Sequence, residues 1–254
     1  MPDESGKCVM AESTPPVFAK SDYKEYPKTL APDDFWGQVR RTVHGKPVGE
    51  EQIAMIVASI REHLDLQASD TVLDLACGNG ALSRYLYPSC RALLGVDYSE
   101  YLVQVAKANF ERLPQYAFTC NDAAAYVASE PEPARFTKAL CYGSFSYFPA
   151  PDAVRVLRGL RQRFTGLQRV YLGNLPDRAL AANFYTKTMP SESELDDHAT
   201  QIGIWRSEDQ LRAIAGPAGW RVRILRMPPG FFGAHYRYDA ILEPDAARME
   251  TGHG

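Results

Sequence analysis

The chain has few cysteines, and none of them is spaced as a structural pair. Its 254 residues contain five, at positions 8, 77, 90, 120 and 141. The number is odd and no Cys-x-x-Cys pair occurs, so the sequence predicts neither a disulfide framework nor a zinc site. This cysteine usage is typical of a reducing compartment, and we expect a cytoplasmic protein.

Long apolar runs and a strong excess of positive charge are also absent. No apolar run reaches the ~18 residues of a transmembrane helix, and the start Met1-Pro2-Asp3-Glu4 has neither the basic nor the apolar region of a secretory signal. The formal net charge is −3, whereas nucleic acids and anionic membranes attract concentrated positive charge. We therefore expect a small-molecule substrate and no nucleic-acid or membrane partner. The oligomeric state is left open.

What the sequence does contain is a strand, a turn of small residues and an amphipathic helix start. Residues 72–80 read Val-Leu-Asp-Leu-Ala-Cys-Gly-Asn-Gly, and residues 81–86 change to a helical period. Gly78 and Gly80 permit positive φ and close approach of the backbone, and the first N–H groups of a helix over 80–87 would suit an anionic ligand group. Asp74 would repel a pyrophosphate but suits the amino group of a methionine moiety. The loop therefore indicates S-adenosyl-L-methionine rather than NAD.

Asp74-Leu75-Ala76-Cys77-Gly78-Asn79-Gly80 resembles the first motif of the class I S-adenosylmethionine-dependent methyltransferases, with Ala in place of the first Gly. Two further segments follow in register. The apolar strand that ends at Asp97 closes 23 residues after Asp74, and a third strand leads to Asp122. The resemblance implies that Asp97 holds the ribose hydroxyls, that Tyr98 packs on the adenine and that Asp122 lies beside the adenine amino group. The full set of expected cofactor-binding residues is Asp74, Ala76, Gly78, Gly80, Asp97, Tyr98, Asn121, Asp122, Ala123 and Cys141.

The alternation of patterns predicts one α/β domain with a Rossmann-like, seven-stranded, mostly parallel sheet, helices on both faces and an antiparallel last strand. The predicted strands cover residues 72–76, 92–96, 116–120, 138–142, 169–173, 220–225 and 236–242. The predicted helices cover 80–87, 99–110, 122–128 and 152–164, and a capping box at 207–210 opens another.

The predicted organisation has five parts. Residues 1–20 lack any period and are expected to be a disordered tail, and 21–47 form an N-terminal lid with a short helix near 33–41. The methyltransferase domain spans 48–243. Within it, 174–206 is too long for an ordinary connection and is expected to be a lid on the acceptor side. Residues 244–254 form a second tail.

The acceptor is expected where parallel strands end, because ligands of open α/β sheets gather at the carboxyl ends. This places Tyr142, Tyr147, Asn174 and Tyr236 as candidate substrate-binding residues. A hydroxyl acceptor would need a base, and His235 and His198 are the candidates because neutral imidazole titrates near physiological pH. No pair of acids follows the fourth and fifth strands, so no metal site is expected.

These observations favour methyl transfer to a hydroxyl or amine of a small polar metabolite, in natural-product or sugar tailoring. Two alternatives remain open. One is a non-catalytic S-adenosylmethionine-binding or regulatory protein, and the other is an RNA or protein methyltransferase. Intact acids at the cofactor site favour binding of the cofactor, but they do not separate an enzyme from a sensor.

Overall fold

A computed structural model describes residues 22–245. The predicted tail 1–20 lies outside this range. Most of the second predicted tail does as well, but Pro244 is the last residue of a strand. No helix in the described range combines the length and the apolar composition needed to cross a bilayer.

The strands form one small hairpin and one large sheet. The hairpin joins β1 (Thr42–Val43) and β2 (Lys46–Pro47). The sheet contains β3 (Thr71–Leu75), β4 (Ala92–Asp97), β5 (Tyr116–Cys120), β6 (Lys138–Tyr142), β7 (Arg169–Pro176), β8 (Trp220–Leu225) and β9 (Arg237–Pro244). Its order is β5-β4-β3-β6-β7-β9-β8, and β9 runs antiparallel to both of its neighbours. The predicted Rossmann-like sheet with an antiparallel last strand is confirmed, and its strand order reverses between β3 and β6.

Eight α-helices surround the sheet in the described range. They are α1 (Phe35–Gln38), α2 (Glu50–Leu64), α3 (Glu100–Phe110), α4 (Ala123–Ser129), α5 (Ala150–Arg163), α6 (Ala181–Phe184), α7 (Glu192–Leu195) and α8 (Glu208–Ala215). Side-chain caps start several of them. Ser99 accepts from the N–H of Leu102 at the start of α3, and Ser207 forms a capping box with Gln210 before α8. The second cap is the capping box that the sequence predicts at 207–210.

Alternate side chains of the strands build two hydrophobic layers, one on each face of the sheet. On one face, Leu73 and Leu75 of β3 pack with α4, α5 and α8. On the other face, Val72 of β3 packs with α2 and with the segment that follows the glycine turn, and α3 packs nearby on Phe118. The period of two along β3 thus serves two cores, as a parallel strand covered on both faces requires.

The helix predicted over 80–87 is different in the structure. Residues Ser83–Ser89 form a 3₁₀ helix, preceded by a turn. Pro88 has no N–H to donate to an i−4 carbonyl, and Tyr85 donates to the carbonyl of Leu82 three residues earlier, at 3.1 Å. The prediction of a regular α-helix after the first motif is therefore wrong, although Leu86 and Tyr87 still bury their side chains.

The segment between β7 and β8 packs on a small core of its own. β7 runs to Pro176, three residues beyond the predicted end of the strand, so the connection starts later than expected. Trp205 is fully buried among Ala181, Leu195 and Tyr236. Arg178 bonds to the carboxylates of Glu192 and Asp196. These contacts hold the insertion as a folded unit against the start of β9.

Candidate functional site

A cavity of about 380 Å³ lies at the carboxyl ends of β3, β4, β5 and β6, where the strand order reverses. This is the place where open α/β sheets bind their ligands. Eleven of the sequence-predicted site residues line it: Asp74, Ala76, Gly78, Asp97, Tyr98, Asn121, Asp122, Ala123, Tyr142, Tyr147 and His198.

Asp74 is a buried carboxylate in the wall of the cavity, with only 3% of its surface exposed. Its Oδ2 accepts a hydrogen bond from the hydroxyl of Ser83 at 2.6 Å. Burial raises the pKa of Asp74 to about 7, against the opposing effects of Ser83 and the nearby Arg41. The carboxylate lacks a close cationic partner, so a ligand ammonium would relieve the desolvation that raises its pKa.

Asp97 ends β4 and is held by two backbone donors. Its Oδ2 accepts from the N–H of Gly78 at 2.7 Å, and its Oδ1 accepts from the N–H of Ser99 at 2.9 Å. Burial raises the pKa of Asp97 to about 6, and these hydrogen bonds oppose the rise. Each carboxylate oxygen can accept a second hydrogen bond. Asp97 is therefore oriented by the glycine turn and retains acceptor capacity toward the cavity, which suits a vicinal diol.

The turn after β3 requires left-handed backbone conformations at three residues. Gly78 and Gly80 have φ of +60° and +73°, and Ala76 has a φ of +55°. Glycine adopts these angles without strain, whereas an alanine there is uncommon. Ala76 stands where the related motif often has glycine, so this position keeps the turn's conformation at some cost in strain.

The two glycines make room for different neighbours. A Cβ on Gly80 would come within 2.7 Å of the Phe118 ring, and Gly80 does not line the cavity. A Cβ on Gly78 would come within 2.8 Å of Cγ1 of Val39 in the N-terminal segment. Gly80 thus serves packing on the sheet, and Gly78 serves the contact between the turn and the N-terminal segment.

The segment at Asp122, which follows the third predicted strand, caps a helix and also lines the cavity. Oδ1 of Asp122 accepts from the N–H groups of Ala124 and Ala125, both at 2.9 Å, and so caps α4. Asn121, Ala123 and the half-exposed ring of Tyr98 complete this end of the cavity. The capping role explains Asp122 without a ligand, and its second oxygen takes no part in the cap.

The N-terminal segment, residues 22–48, covers the glycine turn and supplies residues that the sequence patterns did not identify. The buried amide of Asn79 donates to the carbonyl of Phe35 at 2.8 Å and to Oε1 of Gln38 at 2.9 Å. Tyr23, Trp36, Val39 and Arg41 of this segment all line the cavity. Tertiary contacts bring them there, among them the hydrogen bonds of Asn79 and the packing of Phe35 on Phe110, and no spacing in the sequence signals these contacts.

Two predicted cofactor-binding residues and three on the acceptor side lie outside the cavity lining. The two cofactor-binding residues are Gly80, described above, and Cys141. Cys141 is 2% exposed and packs in the core on the face of α4 and α5, because odd-numbered residues of β6 face that way. Asn174 has a φ of +62° and its N–H donates to Oδ1 of Asp239 at 2.6 Å. Tyr236 is buried with Trp205 in the core of the insertion.

His235 is exposed, and its ring lies 4.7 Å from that of Tyr236. Its carbonyl accepts from Nδ2 of Asn183, which ties the loop before β9 to the insertion. The expected position at the mouth of the site is therefore not where the side chain lies. Among the predicted histidines, His198 lines the cavity, with 53% of its side chain exposed.

Tyr147 lines the cavity where three segments of the chain meet. Its hydroxyl donates to the carbonyl of Gln201 at 2.7 Å and lies 3.5 Å from the hydroxyl of Tyr23. The N-terminal segment, the loop after β6 and the insertion thus meet at one aromatic residue. Within residues 22–245, no group of three or more His, Cys, Asp or Glu side chains is arranged to hold a metal ion.

Comparison with known proteins finds similarity to methyltransferases. Residues 72–164 match the family described as "Methyltransferase domain". An uncharacterized methyltransferase of Schizosaccharomyces pombe, C1347.09, is 28% identical over 114 residues, which cover 41% of this chain and 38% of the relative. A second one from that organism, C70.08c, is 30% identical over 78 residues, which cover 30% of this chain and 27% of the relative. The matches thus span well under half of the length of both curated relatives.

Solved structures share the fold at low sequence identity. A methyltransferase from Clostridium acetobutylicum superposes with a TM-score of 0.59 at 13% identity, over 83% of this chain and 96% of that one. Magnesium protoporphyrin IX methyltransferase from Synechocystis, with bound S-adenosylmethionine, gives 0.56 at 16% identity, over 91% of this chain and all of that one.

The fold and the matched segment thus resemble those of S-adenosylmethionine-dependent methyltransferases. In this chain, residues 72–164 carry the matched methyltransferase domain, and the cofactor of that domain is S-adenosyl-L-methionine.

Proposed function

We propose that this protein transfers the methyl group of S-adenosylmethionine to a hydroxyl or amine of a small polar metabolite, with natural-product or sugar tailoring as the favoured setting. The observation that carries the proposal is the pair of buried carboxylates, Asp74 and Asp97, in one cavity at the switch point of the sheet. We also propose that it works in the cytoplasm.

The cavity residues fit the cofactor by charge and by hydrogen-bonding capacity. Asp74 would hold the ammonium of the methionine moiety, and Asp97 would accept from the ribose hydroxyls. Tyr98, Asn121 and Asp122 would flank the adenine. When bound, the cofactor supplies a methyl group on a sulfonium, which is already activated for transfer. The chain's own contribution is then mainly to orient the two partners and exclude water.

The aromatic residues that we place around the acceptor favour a small molecule as the acceptor. Tyr23 and Tyr147 pack edge to face with ring centroids 5.6 Å apart, and the buried Tyr142 also lines the cavity. Because segments from both ends of the domain meet there, an acceptor must fit between folded elements. Such an enclosure suits a metabolite better than a protein or RNA surface.

A hydroxyl acceptor would give up its proton to a base, and His198 is our candidate. It lines the cavity from the insertion, the segment that we propose faces the acceptor. An amine acceptor that is already neutral would need no base. Asn174, Tyr236 and His235 would act on the acceptor only through the loops they support, since their side chains do not line the cavity.

The test is a transfer assay with methyl-labelled S-adenosylmethionine and three separated fractions of a cell extract: small molecules, protein and RNA. We expect label in the small-molecule fraction with the parent protein and none with Asp97→Ala. Label in the RNA or protein fraction would overturn the proposed acceptor class. Tight cofactor binding without transfer to any fraction would instead favour the regulatory alternative.

A further inference from the structure

Arg41 is an unpaired cation in the wall of the cavity. Its guanidinium lies 5.4 Å from the ring centroid of Trp36 and 5.2 Å from that of Tyr142. Among the described residues it forms no hydrogen bond or ion pair, and the acids near it are more than 4 Å away. Arg41 is half-buried and lines the cavity, so its donors are available to an anionic ligand group there.

The surroundings of Arg41 show which end of the cavity its guanidinium lies at. Burial lowers the pKa of Arg41, and Asp74 and the hydroxyl of Tyr142 oppose this change. The Nη2 atom lies 3.8 Å from the position of a Cβ on Gly143, just beyond β6. Arg41 is therefore beside the predicted methionine end of the cavity and away from the end lined by Asn121 and Asp122.

Several N–H groups of the glycine turn are already engaged within the protein. The N–H of Gly78 donates to Asp97, that of Cys77 to the carbonyl of Val96, and those of Gly80 and Ala81 to groups within the turn. These four N–H groups are therefore not free for a ligand carboxylate next to Asp74, and the guanidinium of Arg41 offers it donors from another part of the chain.

We propose that Arg41 binds the carboxylate of the cofactor's methionine moiety, while Asp74 binds its ammonium. The inference rests on the proposed function, because it assumes that S-adenosylmethionine occupies this cavity. The two side chains would match both charges of the amino-acid end. Since Arg41 belongs to the N-terminal segment, which Asn79 holds on the glycine turn, this contact also links that segment to the bound cofactor.

Binding measurements can isolate the carboxylate. The two probes are S-adenosylhomocysteine and S-adenosyl-3-thiopropylamine, which differ only in that the second lacks the carboxylate. We expect the parent to bind the first about 10- to 100-fold more tightly, the range for charge-assisted hydrogen bonds. In Arg41→Gln this ratio should fall to within about threefold of one.

Arg40→Gln is the matched control. Arg40 is the neighbouring arginine, its guanidinium lies 3.6 Å from the ring centroid of Tyr26, and it does not line the cavity. It should keep the parent's ratio. If Arg41→Gln does not fold, Arg41→Met retains the apolar stem between the two rings and should lose the preference in the same way.

An unchanged ratio in the Arg41 variants would overturn the proposal, and an acceptor carboxylate would then become the better partner for Arg41. A parent that binds both probes equally would also overturn it, while leaving the cofactor assignment intact. Failure of the parent to bind either probe would contradict the proposed function itself.

Discussion

Replacing Asp74 by Asn should stabilise the free protein at alkaline pH and weaken cofactor binding at the same time. The carboxylate is buried without a close cation, so it destabilises the empty site while preparing it for an ammonium. Asn has nearly the same shape and keeps an oxygen that can accept from Ser83. The substitution therefore removes charge with little change in packing.

The magnitude follows from the pKa of Asp74. It is raised from 3.8 to about 7 in the folded protein. Between these values the folded state holds a proton that the unfolded chain has released, so the free energy of unfolding falls as pH rises through this window. At ~1.36 kcal/mol per pKa unit, the full shift corresponds to about 4 kcal/mol at pH 8. We expect the variant to be more stable by about 2–4 kcal/mol at pH 8, and by less than half of that at about pH 5.

Urea denaturation at pH 5 and pH 8 measures the stability change, and calorimetry with S-adenosylhomocysteine measures binding. Asp209→Asn is the control, because this carboxylate is 95% exposed and its loss should leave the pH dependence almost unchanged. The variant Asp74→Asn should bind at least about tenfold more weakly, since the ligand ammonium loses its ionic partner. A variant less stable than the parent at pH 8 would refute the reasoning.

Four further predictions concern the site. Asp97→Ala should weaken binding of S-adenosylhomocysteine by about 2–4 kcal/mol, because two charge-assisted hydrogen bonds are lost; equal affinity by calorimetry would show that the ribose lies elsewhere. Gly80→Ala should lower the free energy of unfolding by about 2–4 kcal/mol, since a Cβ would strain the left-handed backbone and meet Phe118; an unchanged denaturation midpoint would argue against this packing. Methyl transfer should persist in excess EDTA, and a loss of activity that magnesium restores would reveal an overlooked metal site. If the acceptor is a hydroxyl, His198→Ala should slow single-turnover transfer by roughly 10²–10⁴-fold with unchanged cofactor affinity; a full rate would remove His198 as the base.

The part of the cavity lined by Asp74, Asp97 and Asp122 was predictable because its information is local. β3, β4 and β5 each begin and end within one residue of the predicted bounds, since an apolar run closed by an acid marks both the strand and its carboxyl end. In a parallel sheet these ends lie side by side. The pattern that predicts the strands therefore also brings Asp74, Asp97 and Asp122 to one cavity.

The positions of the residues predicted to contact the acceptor depend on tertiary contacts that local patterns do not encode. Topology places the loop before β9 near the carboxyl end of β7, but it does not say which way each side chain faces. The core of the insertion takes Tyr236, and His235 next to it faces outward. Arg41 reaches the cavity through tertiary contacts of the N-terminal segment, such as the hydrogen bond from Asn79 to the carbonyl of Phe35.

Pro88 is a local signal for the 3₁₀ segment. Pro88 inside the predicted helix removes an N–H from the i→i−4 series, so a 3₁₀ segment could have been expected after the glycine turn. Cys141 was misassigned for a different reason. Every residue of β6 is buried, so burial along the strand does not separate the face toward the core from the end toward the ligand.

A crystal structure of the protein with S-adenosylhomocysteine would show whether the cavity binds the cofactor as proposed. We expect electron density in the cavity between β3 and β6, with the ligand amino group at the carboxylate of Asp74 and the ribose hydroxyls at Asp97. Density for the ligand at any other place, or an amino-acid end that points away from Asp74, would contradict this expectation.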